Sequence, residues 1–172
     1  MNKPTTPSRS QFAVLRQICN LIPSYLVPKL ARECGVDKKA RTFSPWSHLV
    51  SLIYAQLTHA IGLNDVCDAL RLHSGLLVTL RGATPPSRNN LSRANKEQDA
   101  SLAEKVFWTV LLVYCLLRFL AFIHGWQHSF TRLFTLVRTA LWRRWDLASL
   151  LQSYGTAFGG LPLHSHPATA LF

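Results

Sequence analysis

The chain has 172 residues, 48% of them hydrophobic, and its mean hydropathy of +0.11 excludes a disordered chain. Its 19 Lys and Arg stand against 8 Asp and Glu, and the resulting net charge of +11 favours a polyanionic partner. Nucleic acid comes first among such partners and an anionic membrane surface second, while the alternative is a basic protein with no such partner.

The first part of the chain predicts short helices after a disordered tail at residues 1–8. Apolar residues recur at helical spacing in a first helix at about 10–21, along the stripe Phe12, Leu15, Ile18, Cys19 and Ile22. A second short helix stops at Gly35, because glycine readily takes the left-handed conformation of a helix end.

The stretch FSPWSHLVSLIYAQLTHAIG contains the clearest helix start. Ser44 can cap this helix, Pro45 occupies its first position, where a missing N–H costs nothing, and Gly62 ends it. A short helix capped by Asn64 follows, and then a loop that contains RGATPPS. The expected core-facing stripe of the longer helix is Trp46, Leu49, Val50, Ile53, Tyr54 and Leu57.

The second part of the chain is more apolar. It predicts a buried helix over residues 106–123, an amphipathic helix that begins at Ser129, a short helix capped by Asp146 and a mobile tail. No strand alternation persists in the sequence, and the predicted fold class is therefore all-α.

The stretch SRNNLSRANKEQD predicts a helix with few apolar side chains to pack against a core. At 100° per residue its inward side carries Leu91, Ala94 and Gln98, and the opposite side is cationic and amide-bearing. Arg and Lys suit guanine edges or phosphates, and Asn suits adenine. The predicted DNA-contacting residues are Arg88, Asn89, Arg93 and Lys96.

The alternative to a DNA-reading helix is that its polar side is a solvated helix face. The stretch resembles the second helix of a helix-turn-helix, but the preceding loop is long for that motif. A second basic cluster, DKKAR at 37–41, could grip phosphates or form an exposed turn.

The run VFWTVLLVYCLLRFLAFI at residues 106–123 leaves another class of function open. It carries one charge, Arg118, and its length is at the low end of the roughly 17–25 residues of a membrane span. An arginine there costs roughly 2–3 kcal/mol on insertion, and a helix buried in a protein core satisfies the same pattern. A small membrane-associated helical protein anchored by this run is therefore the alternative function, with membrane contact less expected than DNA contact.

Other candidate chemistry is thin. The four cysteines form no CxxC pair, so no zinc ribbon or redox motif is indicated, and buried reduced thiols are expected. His124 and His128 are four residues apart, as metal ligands on one helix face would be, but Gly125 lies between them. The first residues lack the apolar segment of a signal peptide, which favours a cytoplasmic location.

Long phrases, rather than short motifs, carry a family resemblance. FSPWSHLVSLIYAQLTHAIGLNDVCDALRLHSG and LRGATPPSRNNLSRANKEQDASLAEKVFW are similar to the N-terminal domain of bacterial DDE-type insertion-sequence transposases of the IS-four group. LLRFLAFIHGWQHSFTRLFTLVRTALWRRWDLASLLQSYGT is similar to the C-terminal end of the same transposases, and together the phrases cover about residues 8–156. The resemblance implies binding of the N-terminal part to the terminal inverted repeats of the element.

The catalytic part of such transposases is missing between the phrases. It is an RNase H-like domain whose three carboxylates hold two divalent metal ions, such as magnesium, for strand cleavage and transfer. Neither an Asp-Ser-Thr phrase nor a Tyr–Arg–Glu–Lys signature occurs here, and Asp146 is the only acid after Glu104. We therefore expect no catalytic residues, no metal site and no cofactor, and interpret the chain as an internal deletion joined near Thr109–Leu112.

These observations predict three parts: a helical transposase domain of DNA-binding type at 8–105, a C-terminal helical segment at 106–156 and a flexible tail at 157–172. The predicted function is that of an internally truncated, catalytically inactive transposase that binds DNA. Surfaces that faced the missing domain would be exposed, so self-association is a further expectation. An inert product of a decayed gene is the last alternative.

Overall fold

The computed structural model describes residues 6–33, 43–96 and 102–155, with the backbone alone at 95–96, 102–107 and 155. Within these ranges the chain is helical, with one isolated antiparallel bridge and no strand, and the all-α class is confirmed. The helices are α1 (Val14–Cys19), α2 (Leu26–Glu33), α3 (Pro45–Thr58), α4 (Leu63–Leu72), α5 (Ser74–Val78), α6 (Arg88–Lys96), α7 (Leu102–Ile123), α8 (Phe130–Ala140) and α9 (Leu147–Gly155).

The two ends of the described chain lie side by side, and we call residues 8–17 with 141–149 the terminal seam. The backbone N–H groups of Ser10, Val14 and Leu15 donate to the carbonyls of Arg144, Arg143 and Leu141, at 2.7, 3.0 and 2.9 Å. Ser8 accepts a hydrogen bond from the N–H of Asp146 (2.9 Å) and donates one to Ser149 Oγ (2.8 Å). The predicted disordered tail is therefore wrong at Ser8, and residues 1–5 lie outside the described chain.

The seam also shortens the first helix. The predicted helix at 10–21 is wrong at its start, because the backbone N–H groups before and within the first turn of α1 bond to the other end of the chain instead. Most of the predicted stripe is nevertheless buried, at Leu15, Ile18, Cys19 and Ile22, while Phe12 is partly buried.

The predicted start of α3 is confirmed, since Ser44 Oγ accepts a hydrogen bond from the N–H of Ser47 (3.1 Å) and proline is the first helical residue. Its predicted end is wrong. His59 takes the left-handed conformation (φ 53°) and terminates the helix before Gly62, although it is not a glycine. Gly62 is the N-cap of α4 and its N–H donates to the Asp65 carboxylate (3.1 Å), so the predicted cap at Asn64 is also wrong.

α3 is the central helix of the core. Val50, Ile53 and Leu57 on it are fully buried, and it contacts α2, α4, α7 and α8. Helices from both sides of position 105 thus share one hydrophobic core, and the division of the chain at that position stays a prediction.

The predicted burial of 106–123 is correct for one face only. α7 buries Val113, Leu117 and Leu120 against the core, in contact with α3 and α8. Its other face exposes large apolar side chains, namely Trp108, Val110, Leu111, Tyr114, Phe119, Phe122 and Ile123. Over the described residues, we find no helix with the length and apolar character needed to cross a membrane.

The predicted starts of the last two helices are confirmed. Ser129 Oγ accepts a hydrogen bond from the N–H of Arg132 (3.3 Å), and the Asp146 carboxylate accepts one from the N–H of Ser149 (2.8 Å). Because both caps are made within one turn of sequence, the residue types alone were sufficient to predict them.

The Gln17 side chain forms hydrogen bonds with both segments of the terminal seam. Its Nε2 donates to the carbonyls of Trp145 (2.7 Å) and Phe12 (3.1 Å), and its Oε1 accepts a hydrogen bond from the N–H of Leu147 (2.9 Å). One side chain therefore satisfies backbone groups on both segments of the seam.

We expect Gln17→Met, which keeps the volume and removes these bonds, to lower the free energy of unfolding by about 1–3 kcal/mol, because partly buried backbone groups lose their partners. Urea denaturation followed by circular dichroism measures this. The matched control is Gln11→Met, since Gln11 is exposed in the same segment and its replacement should stay within about 0.5 kcal/mol of wild type. Equal effects of the two substitutions would show that the seam does not depend on Gln17.

The seam also places an aromatic stack. Trp142 lies 4.4 Å from the His73 ring at an interplanar angle of 21°, and 5.5 Å from the Tyr54 ring. Partial burial lowers the pKa of His73 from its usual value of 6.5, because the imidazolium is poorly solvated there.

The unfolded chain therefore binds a proton at His73 more readily than the folded chain just below pH 6.5. The contribution of His73 to stability is fully present above pH 6.5, the pKa of the unfolded chain. It is lost as the pH falls from 6.5 through the lower pKa of the folded chain. We expect the decrease in the free energy of unfolding between pH 7.5 and pH 5.5 to be smaller in His73→Phe, which keeps a stacked ring, than in wild type. Urea denaturation at both pH values tests this, and an unchanged difference would contradict the assignment to His73.

Candidate nucleic-acid interface

α6 begins after two prolines with a side-chain cap. Ser87 Oγ accepts a hydrogen bond from the N–H of Asn90 (3.1 Å), and the Ser87 carbonyl accepts one from the N–H of Leu91 (2.9 Å). Pro86 just before the cap is buried. Proline restricts the residue before it to extended conformations, so this sequence fixes where the helix starts.

The predicted inward side of α6 is confirmed where it is described. Leu91 is 2% exposed and belongs to the main core, and Ala94 is partly buried against that core. α6 contacts α4. Gln98, the third residue of the predicted inward side, lies outside the described chain.

The predicted DNA-contacting residues occupy the solvent side of the same helix. Arg88, Asn89 and Arg93 are all exposed, and the first two lie in the first turn. Lys96 is the last residue of α6, and its side chain is not among those described. Three of the four residues are thus exposed on α6, and their contact with DNA stays a prediction.

Arg71 on α4 and Arg88 on α6 both act on the buried Cys67 thiol. Burial is the main cause that raises the pKa of Cys67, Asp68 adds to it, and the charges of Arg71 and Arg88 oppose it. The two guanidinium groups, from α4 and α6, therefore act on the same thiol. Arg71 also lies 3.4 Å from the Asp68 carboxylate, but both side chains are largely exposed, so this ion pair is weak.

Sequence reasoning did not include Arg71 among the contacts. The signal was its exposed position on the amphipathic stretch LNDVCDALRL, but the neighbouring Asp68 hides the positive charge in a count along the chain. Only the packing of α4 against α6 shows that it lies beside the predicted helix.

The resemblance to a helix-turn-helix is not met in its tight form. Residues 73–87 separate α4 from α6 and include α5, so the predicted plain loop is wrong. A tight motif uses a turn of three or four residues. The two helices contact each other nonetheless, and the intervening segment holds α6 at a defined position.

That segment is fixed by contacts with α3. Trp46 Nε1 donates to the Leu80 carbonyl (2.7 Å), and the N–H of Thr84 donates to the buried Ser47 Oγ (3.0 Å). Arg81, in the left-handed conformation (φ 54°), lies over the Trp46 ring at 4.7 Å and donates to the Ile22 carbonyl (2.8 Å). The start of α6 is therefore tied to α3 rather than carried on a free loop.

The thiols and imidazoles considered from the sequence have other places. Cys19 and Cys67 are buried, as expected, and burial raises the pKa of Cys19 to about 12, with Arg81 opposing the shift. Cys115 is exposed, contrary to expectation, because it lies on the uncovered face of α7. Cys34 and the cluster at 37–41 lie outside the described chain.

His124 and His128 do not share a helix face, because α7 ends at Ile123 and α8 begins at Phe130. His128 contacts the Trp126 ring edge-on at 5.2 Å. Across the described ranges, no three His, Cys, Asp or Glu side chains lie together where they could hold a metal ion.

Comparison with known proteins covers the first part of the chain. Residues 10–80 match the family described as Domain of unknown function (DUF4372), a domain that is found in transposase-like proteins. The match extends over less than half of the chain and ends before α6. Neither the curated proteins nor the solved structures contain a match to this chain.

Proposed function

We propose that this chain is a cytoplasmic, transposase-related DNA-binding protein that recognises the terminal inverted repeats of an insertion sequence through α6. The observation that carries the proposal is the exposed face of α6, where Arg88, Asn89 and Arg93 project from a helix anchored by Leu91. A chain of net charge +11 supplies the general attraction to DNA that such a face requires.

The dimensions of α6 suit this role. Its nine residues give a length of about 14 Å at 1.5 Å per residue, and the major groove of duplex DNA, about 12 Å wide, admits a helix. Arginine can bond two acceptors of guanine, and asparagine can bond adenine in the same two-point manner. The N-terminus of α6, with Arg88 and Asn89 in its first turn, also favours a phosphate oxygen.

The match at residues 10–80 supports the transposase relationship, because that domain occurs in transposase-like proteins. The phrases that resemble the C-terminal end of such transposases lie in α7, α8 and α9. These helices share a core with the matched residues, as expected for two ends of one protein that remain compatible after a deletion.

We further propose that the chain has no strand-transfer activity of its own. Three of the described acids have structural partners: Asp65 bonds the cap of α4, Asp68 pairs with Arg71, and Asp146 caps α9. Two-metal catalysis of strand cleavage needs carboxylates that converge on the ions, whereas these carboxylates lie at separate helix ends and surfaces.

DNA binding is tested with duplexes that the protein enriches from a random library and with a scrambled duplex of the same composition. We expect Arg93→Gln to weaken binding of the enriched duplex by about 1–3 kcal/mol of binding free energy, because a base contact is lost. The same change should reduce the preference for the enriched over the scrambled duplex. Lys96→Gln should weaken binding to both duplexes by a similar factor and reduce the salt dependence of Kd, as the loss of a phosphate contact does. Fluorescence anisotropy across a series of KCl concentrations measures both effects.

The matched control for these variants is Arg138→Gln, an exposed arginine on α8 with the same change of charge. It should leave the preference for the enriched duplex unchanged. If Arg93→Gln and Lys96→Gln behave like this control, the polar side of α6 is a solvated face and not a DNA-reading surface.

The proposed lack of strand transfer is tested with the same enriched duplex, placed at the ends of a linear DNA fragment. The purified chain, incubated with 10-fold steps of Mg²⁺ or Mn²⁺ concentration, should bind the fragment without nicking it or joining it to a plasmid. Gel analysis of labelled ends detects either product. Metal-dependent cleavage that survives repurification would disprove this part of the proposal.

A further inference from the structure

The terminal seam gathers arginines from opposite ends of the chain. Arg9 and Arg16 lie in its first segment, Arg16 within α1, and Arg143 and Arg144 lie in its second. The backbone hydrogen bonds of the seam, not a run of sequence, bring these two segments together. A count of charges along the chain therefore does not show the cluster.

The cluster is centred on Trp145. Arg9 and Trp145 form the antiparallel bridge of the seam, so their side chains lie on the same face, with Cβ atoms about 4.5–5.5 Å apart. The Arg143 guanidinium lies over the Trp145 ring, 5.8 Å from its centroid, and Tyr154 stands beside the ring at 6.4 Å. Two arginines thus flank one partly buried indole.

Two further arginines of the seam lie outside this pair. Arg144 is exposed and, as the sequence neighbour of Trp145 in an extended segment, points to the opposite face, and Arg16 of α1 lies 3.7 Å from the centroid of the Phe12 ring. Arginine stacked on an aromatic ring keeps its N–H groups at the edge of the guanidinium plane, where they remain open to an acceptor. The aromatic rings therefore order the side chains without neutralising them.

Charge at the seam is uncompensated. In the part of the chain that the structure describes, no carboxylate forms an ion pair with Arg9, Arg16, Arg143 or Arg144. The one acid of the seam, Asp146, uses its carboxylate to cap α9. Arg9 and Arg143, on either side of Trp145, therefore make a local field that favours an anion.

We propose that the terminal seam is a second DNA-binding surface, which binds the phosphate backbone of a duplex through Arg9 and Arg143. The planar guanidinium donates two parallel hydrogen bonds to phosphate oxygens, which suits it to successive phosphates of a strand. This surface reads no sequence, and it is separate from the base contacts proposed for α6. It rests on the proposed function in one respect, that the ligand is DNA.

The double variant Arg9→Gln with Arg143→Gln tests the seam on a 30-bp duplex of arbitrary sequence. The matched control is Arg118→Gln with Arg138→Gln, which removes two exposed arginines from α7 and α8 and gives the same net charge. We expect the seam variant to raise Kd about tenfold and to reduce the slope of log Kd against log salt by about 1.8, from about 0.9 per lost phosphate contact. The control should change the slope by far less.

Stability is checked in the same samples, since the hydrogen bonds of the seam come from the backbone and from Gln17 rather than from these guanidinium groups. The thermal unfolding midpoint of the seam variant should equal that of the control. The conservative variant Arg9→Lys with Arg143→Lys should restore most of the salt slope. Equal Kd values and slopes for the seam variant and the control would overturn the proposal.

The outcome is distinguishable from that of the α6 experiment. Arg93→Gln should change the ratio of affinities for enriched and scrambled duplexes, whereas the seam variant should weaken both by the same factor. If the seam variant weakens DNA binding and Arg93→Gln leaves the ratio of affinities unchanged, the seam proposal is supported and base recognition by α6 is contradicted. A membrane role is tested with vesicles of phosphatidylserine and phosphatidylcholine: a seam variant that loses vesicle binding while its DNA affinity equals that of the control would overturn the assignment to DNA.

Discussion

The terminal seam is the constraint on which the rest of the structure depends. Peptide N–H and C=O groups near the interior must find partners, and the N–H groups of Ser10, Val14 and Leu15 and the carbonyl of Ser8 find them on residues 141–146 rather than in a longer first helix. The pairing closes the described chain end to end. It fixes α1, places Trp142 against His73 and sets the start of α9, so three separate parts of the core take their positions from one short pairing.

This closure bears on the proposed deletion. The proposed join at Thr109–Leu112 lies within α7, which runs without a break from Leu102 to Ile123. One face of a helix stays buried when its inward positions keep spacings of three and four residues. From the join onward, Thr109, Val113, Leu116, Leu117 and Leu120 keep these spacings and are all buried. An in-phase join would therefore retain a packed core while removing what lay between.

Local chemistry decided which features were predictable from the sequence. The caps at Ser44, Ser129 and Asp146, and the inward position of Leu91, follow from residues within one turn of each other. Features set by distant partners were not predictable in the same way: the late start of α1, the end of α3 at His59 and the presence of α5. The candidate sites divide in the same way. One helical wheel places Asn89 and Arg93 on the exposed side of α6, whereas the positions of Arg71 relative to α6 and of Arg9 relative to Arg143 depend on tertiary contacts.

The apolar face of α7 explains why the sequence supports both a core helix and a membrane segment. Burial against α3 and α8 requires apolar residues on one side only, which Val113, Leu117 and Leu120 provide. Nothing in that packing requires Trp108 or Phe119, which are 56% and 50% exposed on the other side. Exposed apolar faces are typical of interaction surfaces in folded proteins. The self-association expected from the sequence stays a prediction, and this is the face of α7 that it would use.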